Sequence, residues 1–153
     1  MKILYAIQGT GNGHVSRARE IIPILKKYGQ VDILISGTQA DVNLDDEIKY
    51  RFKGFGFDFG TNGGINYKSS FKKADFRQLI RDIGNLPVKD YDLVINDFEP
   101  VTAWACVLRN KKSIALSHQS AFLSVKTPII SGFHLGEFIL KTYAPASKKV
   151  GFH

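Results

Sequence analysis

Short apolar runs alternate with segments of helical periodicity along the whole of this chain. Runs that are apolar at successive positions are typical of strands buried on both faces. The predicted strands are Lys2–Gln8, Val31–Ser36, Ile48–Phe52, Tyr91–Asn96 and Ser113–Ser117, and the predicted helices are 15–28, 71–83, 100–109 and 133–143. Strands that alternate with helices through short connections predict an α/β fold, a doubly wound parallel sheet.

The expected strand order of such a sheet is 3-2-1-4-5, which reverses between the first and fourth strands. Ligands of open α/β sheets bind beyond the carboxyl ends of the strands at this reversal. The loops after the first and fourth strands are therefore the places to seek functional residues. A Phe- and Gly-rich stretch at 52–68 follows no clear period and fits either a loop or an extra hairpin.

The composition excludes several classes of protein. A chain of 153 residues with 44% hydrophobic content can bury one core, which predicts a single domain over 1–153. Cys106 is the only cysteine, so a disulfide framework is excluded and a cytoplasmic location is expected. No apolar run approaches the roughly 18 residues of a membrane span, and the apolar start reads as a strand rather than a signal peptide.

A glycine-rich loop, GTGNGH at 9–14, joins the first strand directly to the first helix. A P-loop would end in Gly-Lys-Ser/Thr, and a dinucleotide loop would place its third glycine one position later and an acidic residue after the second strand; neither pattern is present. Glycines before a helix N-terminus still let an anionic ligand approach closely. The alternative is a turn that only joins strand to helix.

His14 lies at the mouth of the expected crevice and is a candidate general base. Asp97 ends the fourth predicted strand and should lie across the same crevice, where a carboxylate can hold the second imidazole nitrogen and fix its tautomer. The alternative for Asp97 and Glu99 is capping of the helix that begins at Pro100.

His118 and Gln119 close the fifth strand on the same edge, where polar side chains suit substrate positioning. A capped loop is the alternative there. The 4 histidines lie far apart without ligand spacing, so no zinc site is expected.

The net charge of +7 favours anionic partners such as phosphates or lipid surfaces. Basic residues cluster around the second predicted helix and after the third, where they can serve solubility, hold a phosphate- or lipid-bearing acceptor, or contact an anionic membrane. They are Lys68, Lys72, Lys73, Arg77, Arg81, Arg109, Lys111 and Lys112.

Four motifs carry a resemblance to a known family: GTGNGHVSRA at 9–18, YDLVINDF at 91–98, WA at 104–105 and SIAL at 113–116. Together they resemble the N-terminal domain of GT-B glycosyltransferases. That group includes the peptidoglycan lipid I N-acetylglucosaminyltransferase and the nucleotide-sugar glucosyltransferases. The implied fold is the Rossmann-like N-terminal half of a GT-B enzyme.

The resemblance also implies roles for individual residues. His14 would deprotonate an acceptor hydroxyl, and Asp97 would orient it. Further substrate contacts are implied for Gly11, Asn12, Gly13, Glu99, His118 and Gln119. The implied donor is a UDP-sugar or another nucleotide-sugar, with no cofactor and no metal, and the charge fits a lipid-linked hydroxyl acceptor.

One departure concerns length. The family's donor pocket lies mainly in a second domain, whereas this chain stops at Gly151-Phe152-His153, which is expected to be the last strand of the first domain. We therefore expect the acceptor-binding half of an inverting glycosyltransferase, inactive without a donor-binding domain or partner. The alternatives are a non-catalytic subunit of a split transferase and half of a nucleotide-sugar epimerase. A nucleic-acid binder is disfavoured because no recognition motif is present.

Overall fold

Strands of the described chain pair in a single parallel sheet. The computed structural model describes residues 1–37, 44–55, 75–122 and 134–152. The strands are β1 (Lys2–Gln8), β2 (Gln30–Ser36), β3 (Ile48–Phe52), β4 (Leu93–Asp97), β5 (Ile114–Leu116) and β6 (Lys148–Val150). Their order is β3-β2-β1-β4-β5-β6, so the predicted order and the predicted doubly wound class are confirmed.

The last strand lies earlier in the chain than predicted, at Lys148–Val150 rather than at 151–153. Backbone pairing with β5 begins where Lys148 N donates to Ser113 O and ends where Ser117 N donates to Val150 O. Gly151 then packs against Ala121, so closely that a Cβ at Gly151 would lie 2.7 Å from Ala121 N.

The described helices lie between these strands. They are α1 (Asn12–Lys26), α2 (Phe76–Asn85), α3 (Pro100–Leu108), α4 (His118–Phe122) and α5 (His134–Thr142), with a 3-10 turn at Val88–Asp90. The predicted helix start at Phe71, the glycine-rich stretch beyond residue 55, and Lys68, Lys72 and Lys73 lie outside the described residues. None of the described helices has the length and apolarity needed to cross a bilayer.

Two helices differ from the sequence prediction. α1 begins at Asn12, three residues before the first apolar position of its periodic pattern, and it continues through Pro23. α4 replaces a predicted loop, because Ser117 Oγ accepts a hydrogen bond from Ser120 N (3.1 Å) and so caps a single short turn.

The apolar runs of the sequence reflect a sheet that is covered on both faces. Along β1, Ile3, Tyr5 and Ile7 face one side and Leu4 and Ala6 face the other. The first set packs on Val15, Ala18 and Ile22 of α1, and the second packs on Val101, Ala105 and Cys106 of α3. Both faces of β1 are therefore buried, and polar side chains concentrate at the ends of the strands.

An ion pair between the buried carboxylate of Asp32 and the half-exposed Lys49 joins the amino end of β2 to its neighbours. Asp32 accepts hydrogen bonds from Lys49 Nζ (2.6 Å) on β3 and from the Tyr91 hydroxyl (2.8 Å) just before β4. Burial alone would raise the pKa of Asp32, but the hydrogen bonds from Lys49 and Tyr91 outweigh it and hold that pKa below its ordinary value.

Replacing Asp32→Asn should therefore destabilise the protein at neutral pH by about 1 kcal/mol. The folded-state pKa is lower than the unfolded value of about 3.9, so the contribution is complete above that pH and is lost as pH falls through the folded value. Urea unfolding at pH 7, 5 and 3 checks this: the gap between wild type and variant should close toward pH 3. Asp46→Asn, which removes a more exposed pair with Lys26, is the control for a smaller effect. An equal gap at all three pH values would contradict the assignment.

Candidate active site

Three strand ends and three helix starts meet at one edge of the sheet. α1 follows β1 after a turn at 9–11, α3 follows β4 after a two-residue connection, and α4 follows β5 after Ser117. Because parallel strands end at the same edge, the first turns of α1 and α4 lie beside the last residue of β4.

His14 and Asp97 are in hydrogen-bond contact at this edge. His14 Nδ1 lies 2.9 Å from Asp97 Oδ1, and the two residues are 83 positions apart in the chain. Asp97 is fully buried, and the His14 side chain is 14% exposed. Asp97 shares the α1-facing side of β4 with Leu93 and Ile95, so the pleat of the strand directs its carboxylate toward α1.

Arg17 completes the cluster, and the sequence analysis assigned it no role. Its Nη2 lies 2.9 Å from Oδ1 and 2.8 Å from Oδ2 of Asp97, its Nε lies 3.1 Å from Oδ2, and Nη2 is also 3.0 Å from His14 Nδ1. The signal that could have identified it is its spacing from His14, since residues i and i+3 share a helix face. A fully buried carboxylate also needs a cation, and Arg17 supplies one.

Tyr5 lies beneath this cluster on β1. Its hydroxyl is buried and has no hydrogen-bond partner among the described residues. Burial raises the pKa of Tyr5, and the negative charge of Asp97 raises it further, so the phenol stays neutral. Tyr5 therefore adds no charge to the group of His14, Arg17 and Asp97.

The connection from β4 to α3 is held by Asn96. The Asn96 amide donates to Glu99 O (2.7 Å), and its carbonyl accepts from Glu99 N (2.8 Å). Between Asn96 and Glu99, Phe98 adopts a left-handed backbone conformation with φ of 58°. Such a conformation costs about 1–3 kcal/mol for a non-glycine residue and is common at functional sites. The ring centroids of Phe98 and Tyr143 lie 4.8 Å apart, and this packing helps to hold the turn.

Glu99 has the capping role that the sequence left open as an alternative. Its carboxylate is fully buried and accepts from Val101 N (2.7 Å), Thr102 N (2.6 Å) and Ser36 Oγ (2.7 Å). Burial raises the pKa of Glu99 despite these hydrogen bonds, which act in the opposite direction. With both oxygens occupied inside the protein, Glu99 caps α3, and its contact with substrate stays a prediction.

His118 and Gln119 occupy the start of α4, and Gln119 lies next to His14. Gln119 Nε2 lies 3.3 Å from His14 Nε2, and Gln119 Oε1 is buried without a partner among the described residues. His118 is exposed. Within the described ranges, no three histidine, cysteine or acidic side chains converge as a metal site would require.

The glycines of the first loop differ in what surrounds them. A Cβ at Gly9 would lie 2.7 Å from Ile35 Cγ2, so the fold itself requires glycine there. A Cβ at Gly11 or Gly13 would meet no heavy atom within 4 Å. Asn12 and Gly13 are exposed at the start of α1. Open space thus lies in front of the helix N-terminus, next to His14.

Comparison with solved structures gives a match to the crystal structure of MurG from Acinetobacter baumannii. The TM-score is 0.52 at 16% sequence identity, and the match covers 98% of this chain and 45% of that chain. At this identity the likeness shows the fold. The chain spans less than half the length of this MurG chain. A search of curated protein sequences gives no significant match.

The model of one protein family matches residues 1–128, which include the glycine loop, α1, β4 and α3. That family is described as glycosyl transferase family 1. The predicted resemblance to the N-terminal domain of a GT-B glycosyltransferase is confirmed by this match together with the fold. The chain belongs to glycosyl transferase family 1.

Proposed function

We propose that this chain is the acceptor-binding half of an inverting glycosyltransferase in which His14 is the general base. The observation that carries the proposal is the 2.9 Å contact between His14 Nδ1 and the buried carboxylate of Asp97. A histidine held in this way at one nitrogen can accept a proton at the other. The donor-binding half belongs to a further domain or a partner chain.

In the proposed reaction, a hydroxyl of the acceptor attacks the anomeric carbon of a nucleotide-sugar. The oxygen forms a bond to that carbon as its proton passes to Nε2 of His14. The bond from the anomeric carbon to the diphosphate oxygen breaks, and its electron pair leaves with the nucleoside diphosphate. Attack opposite the leaving group inverts the configuration.

The proposed diphosphate contact is the amino end of α1. Backbone N–H groups at a helix N-terminus favour negative charge, and the space in front of Gly11 and Gly13 is open. A UDP-sugar or another nucleotide-sugar fits this chemistry. Charge that develops on the departing diphosphate would be stabilised there.

Removing the base should abolish most of the activity. In the protein together with its donor-binding half, His14→Ala should lower kcat about a hundredfold or more, because the proposed base is lost. Asp97→Asn should also lower kcat, because a neutral amide accepts a weaker hydrogen bond from His14 Nδ1 than a carboxylate does. Steady-state kinetics with each variant measure this, and Glu20→Ala, an exposed change nearly two turns further along α1, is the control. A loss of less than tenfold for His14→Ala would favour a non-catalytic acceptor-binding subunit.

The open glycines allow binding and folding to be tested separately. Gly13→Ala should leave the midpoint of thermal unfolding unchanged or slightly raised, because the added methyl group meets no protein atom and alanine favours a helix. Gly11→Ala, at the N-cap, should lower the midpoint slightly, because alanine caps a helix less well than glycine. Both should raise KM for the donor about tenfold, since the methyl group occupies the space proposed for the diphosphate. Gly9→Ala is the contrasting control and should lower the unfolding midpoint. Unchanged KM in both loop variants would place the donor elsewhere.

An exposed apolar surface on α2 and α3 supports contact with an anionic membrane, which suits a lipid-linked acceptor. We call it the α2–α3 patch. Arg77 and Arg81 are exposed on α2 beside it. Its residues are Phe76 (44% exposed), Ile80 (69%), Trp104 (41%), Val107 (52%) and Leu108 (67%). Apolar side chains bordered by arginine are typical of surfaces that rest on anionic lipid.

The α2–α3 patch should bind vesicles that contain anionic lipid and should release them as salt rises. Ile80→Glu and Leu108→Glu should each weaken sedimentation with such vesicles by about tenfold, because a carboxylate enters the apolar contact. Ile24→Glu changes an exposed apolar residue on α1 and is the matched control. If wild type fails to sediment with anionic vesicles, or if all three variants behave alike, the patch is not a membrane contact.

A further inference from the structure

His14 Nδ1 has two neighbours that cannot both be its hydrogen-bond partners. Asp97 Oδ1 lies at 2.9 Å and Arg17 Nη2 at 3.0 Å. An ionised carboxylate only accepts hydrogen bonds, and a guanidinium only donates them. A protonated Nδ1 therefore pairs with Asp97, whereas an unprotonated Nδ1 pairs with Arg17. In the first tautomer Nε2 has a free lone pair; in the second Nε2 carries the proton and cannot act as a base.

The geometry of Arg17 decides between these two arrangements. Its Nε and Nη2 form a fork on both oxygens of Asp97, at distances from 2.8 to 3.1 Å. Nη2 lies within 2.9 Å of both Asp97 oxygens, so its hydrogens can point at the carboxylate. Oδ1 of the ionised carboxylate has only lone pairs, and an unprotonated Nδ1 at 2.9 Å would set a second lone pair against it. Nδ1 must then donate to Oδ1. Gln119 lies on the other side of the ring, with its amide Nε2 3.3 Å from His14 Nε2.

Arg17 also balances the charge of the cluster. Asp97 is fully buried, and a buried carboxylate without a cation is strongly disfavoured. With Arg17 in place, His14 need not carry a second proton to compensate Asp97. The ring of Phe152 lies 5.1 Å from Arg17 Cζ and covers one face of the guanidinium, which keeps the fork in position.

We propose that Arg17 is a positioning residue that selects the neutral Nδ1–H tautomer of His14. By holding both oxygens of Asp97, it directs Oδ1 at Nδ1 and leaves Nε2 free to accept the proton of the acceptor hydroxyl. The inference rests on the proposed role of His14 for its catalytic meaning, but the tautomer can be measured without any transfer reaction. The groups that face His14 among the described residues are Asp97 on β4, Arg17 on α1 and Gln119 on α4, with the neutral Tyr5 beneath Asp97.

Long-range ¹H–¹⁵N correlation of the ¹⁵N-labelled protein at pH 7 reads both the tautomer and the charge of an imidazole, and His14→Gln assigns the signal. Wild type should show neutral His14 with the proton on Nδ1. Arg17→Met should convert His14 to imidazolium, because Asp97 then contacts no other cation among the described residues. Arg17→Lys supplies a charge but no fork, so His14 should stay neutral with a mixture of tautomers. Arg19→Met, an exposed arginine of the same helix, should leave the wild-type signal unchanged.

The activity of these variants provides a second readout. Arg17→Met should lower kcat at least tenfold at pH 7, because His14 then no longer offers an unprotonated Nε2 to the acceptor. A merely structural role would lower activity without changing the tautomer signal of His14. If Arg17→Met does not fold, the double variant Arg17→Met with Asp97→Asn removes both charges, and His14 should then be neutral without a single tautomer.

Three outcomes would overturn the inference: a proton on Nε2 in wild type, an unchanged His14 signal in Arg17→Met, or imidazolium in the double variant. The proposed function fails independently of these. If His14→Ala stays active while the tautomer follows Arg17 as described, Arg17 positions a histidine that is not the base. If His14→Ala is inactive while the tautomer does not depend on Arg17, His14 is still the base and Arg17 has no positioning role.

Discussion

A carboxylate with no access to solvent ends β4, and the functional edge of the sheet is arranged around its charge. Asp97 needs a cation and hydrogen-bond donors because water cannot reach it. Arg17 supplies the cation, which fixes the rotation of α1 about its axis. The same rotation brings His14, one turn earlier, against the same carboxylate. A single electrostatic requirement thus orients the helix and its histidine together.

A second buried polar cluster secures the loops beside this charge. Gln8 at the end of β1 donates to the Tyr143 hydroxyl (2.9 Å) and to Thr10 Oγ1 (3.0 Å). Ser36 at the end of β2 donates to Glu99 (2.7 Å), which caps α3. The apolar layers determine which helix covers which face, whereas these polar contacts determine where each loop leaves the sheet. Neither set alone would place an imidazole to within hydrogen-bond distance.

The sequence predicted β1, β2 and β4 because their side chains are buried on both faces of the sheet. It predicted that His14 and Asp97 lie close together because chain order determines where a parallel sheet reverses. It assigned no role to Arg17, whose significance depends on a partner 80 positions away. It left Glu99 between two roles because Ser36, which occupies one of its oxygens, lies 63 positions away. It missed α4 because five residues are too few to show a helical period.

The packing of Tyr143 on Phe98 has a consequence for the order of folding. Helix α1 and the pairing of β1 with β2 need only contacts among the first 36 residues. The crevice needs Gln8, Phe98 and Tyr143 together, and the bond from Gln8 to Tyr143 joins residues 135 positions apart. Contacts of such wide separation form late, because a long loop must close first. On the ribosome, the amino-terminal βαβ unit can therefore assemble before this crevice exists, and the left-handed turn at Phe98 gains the packing of Tyr143 only when residue 143 has emerged.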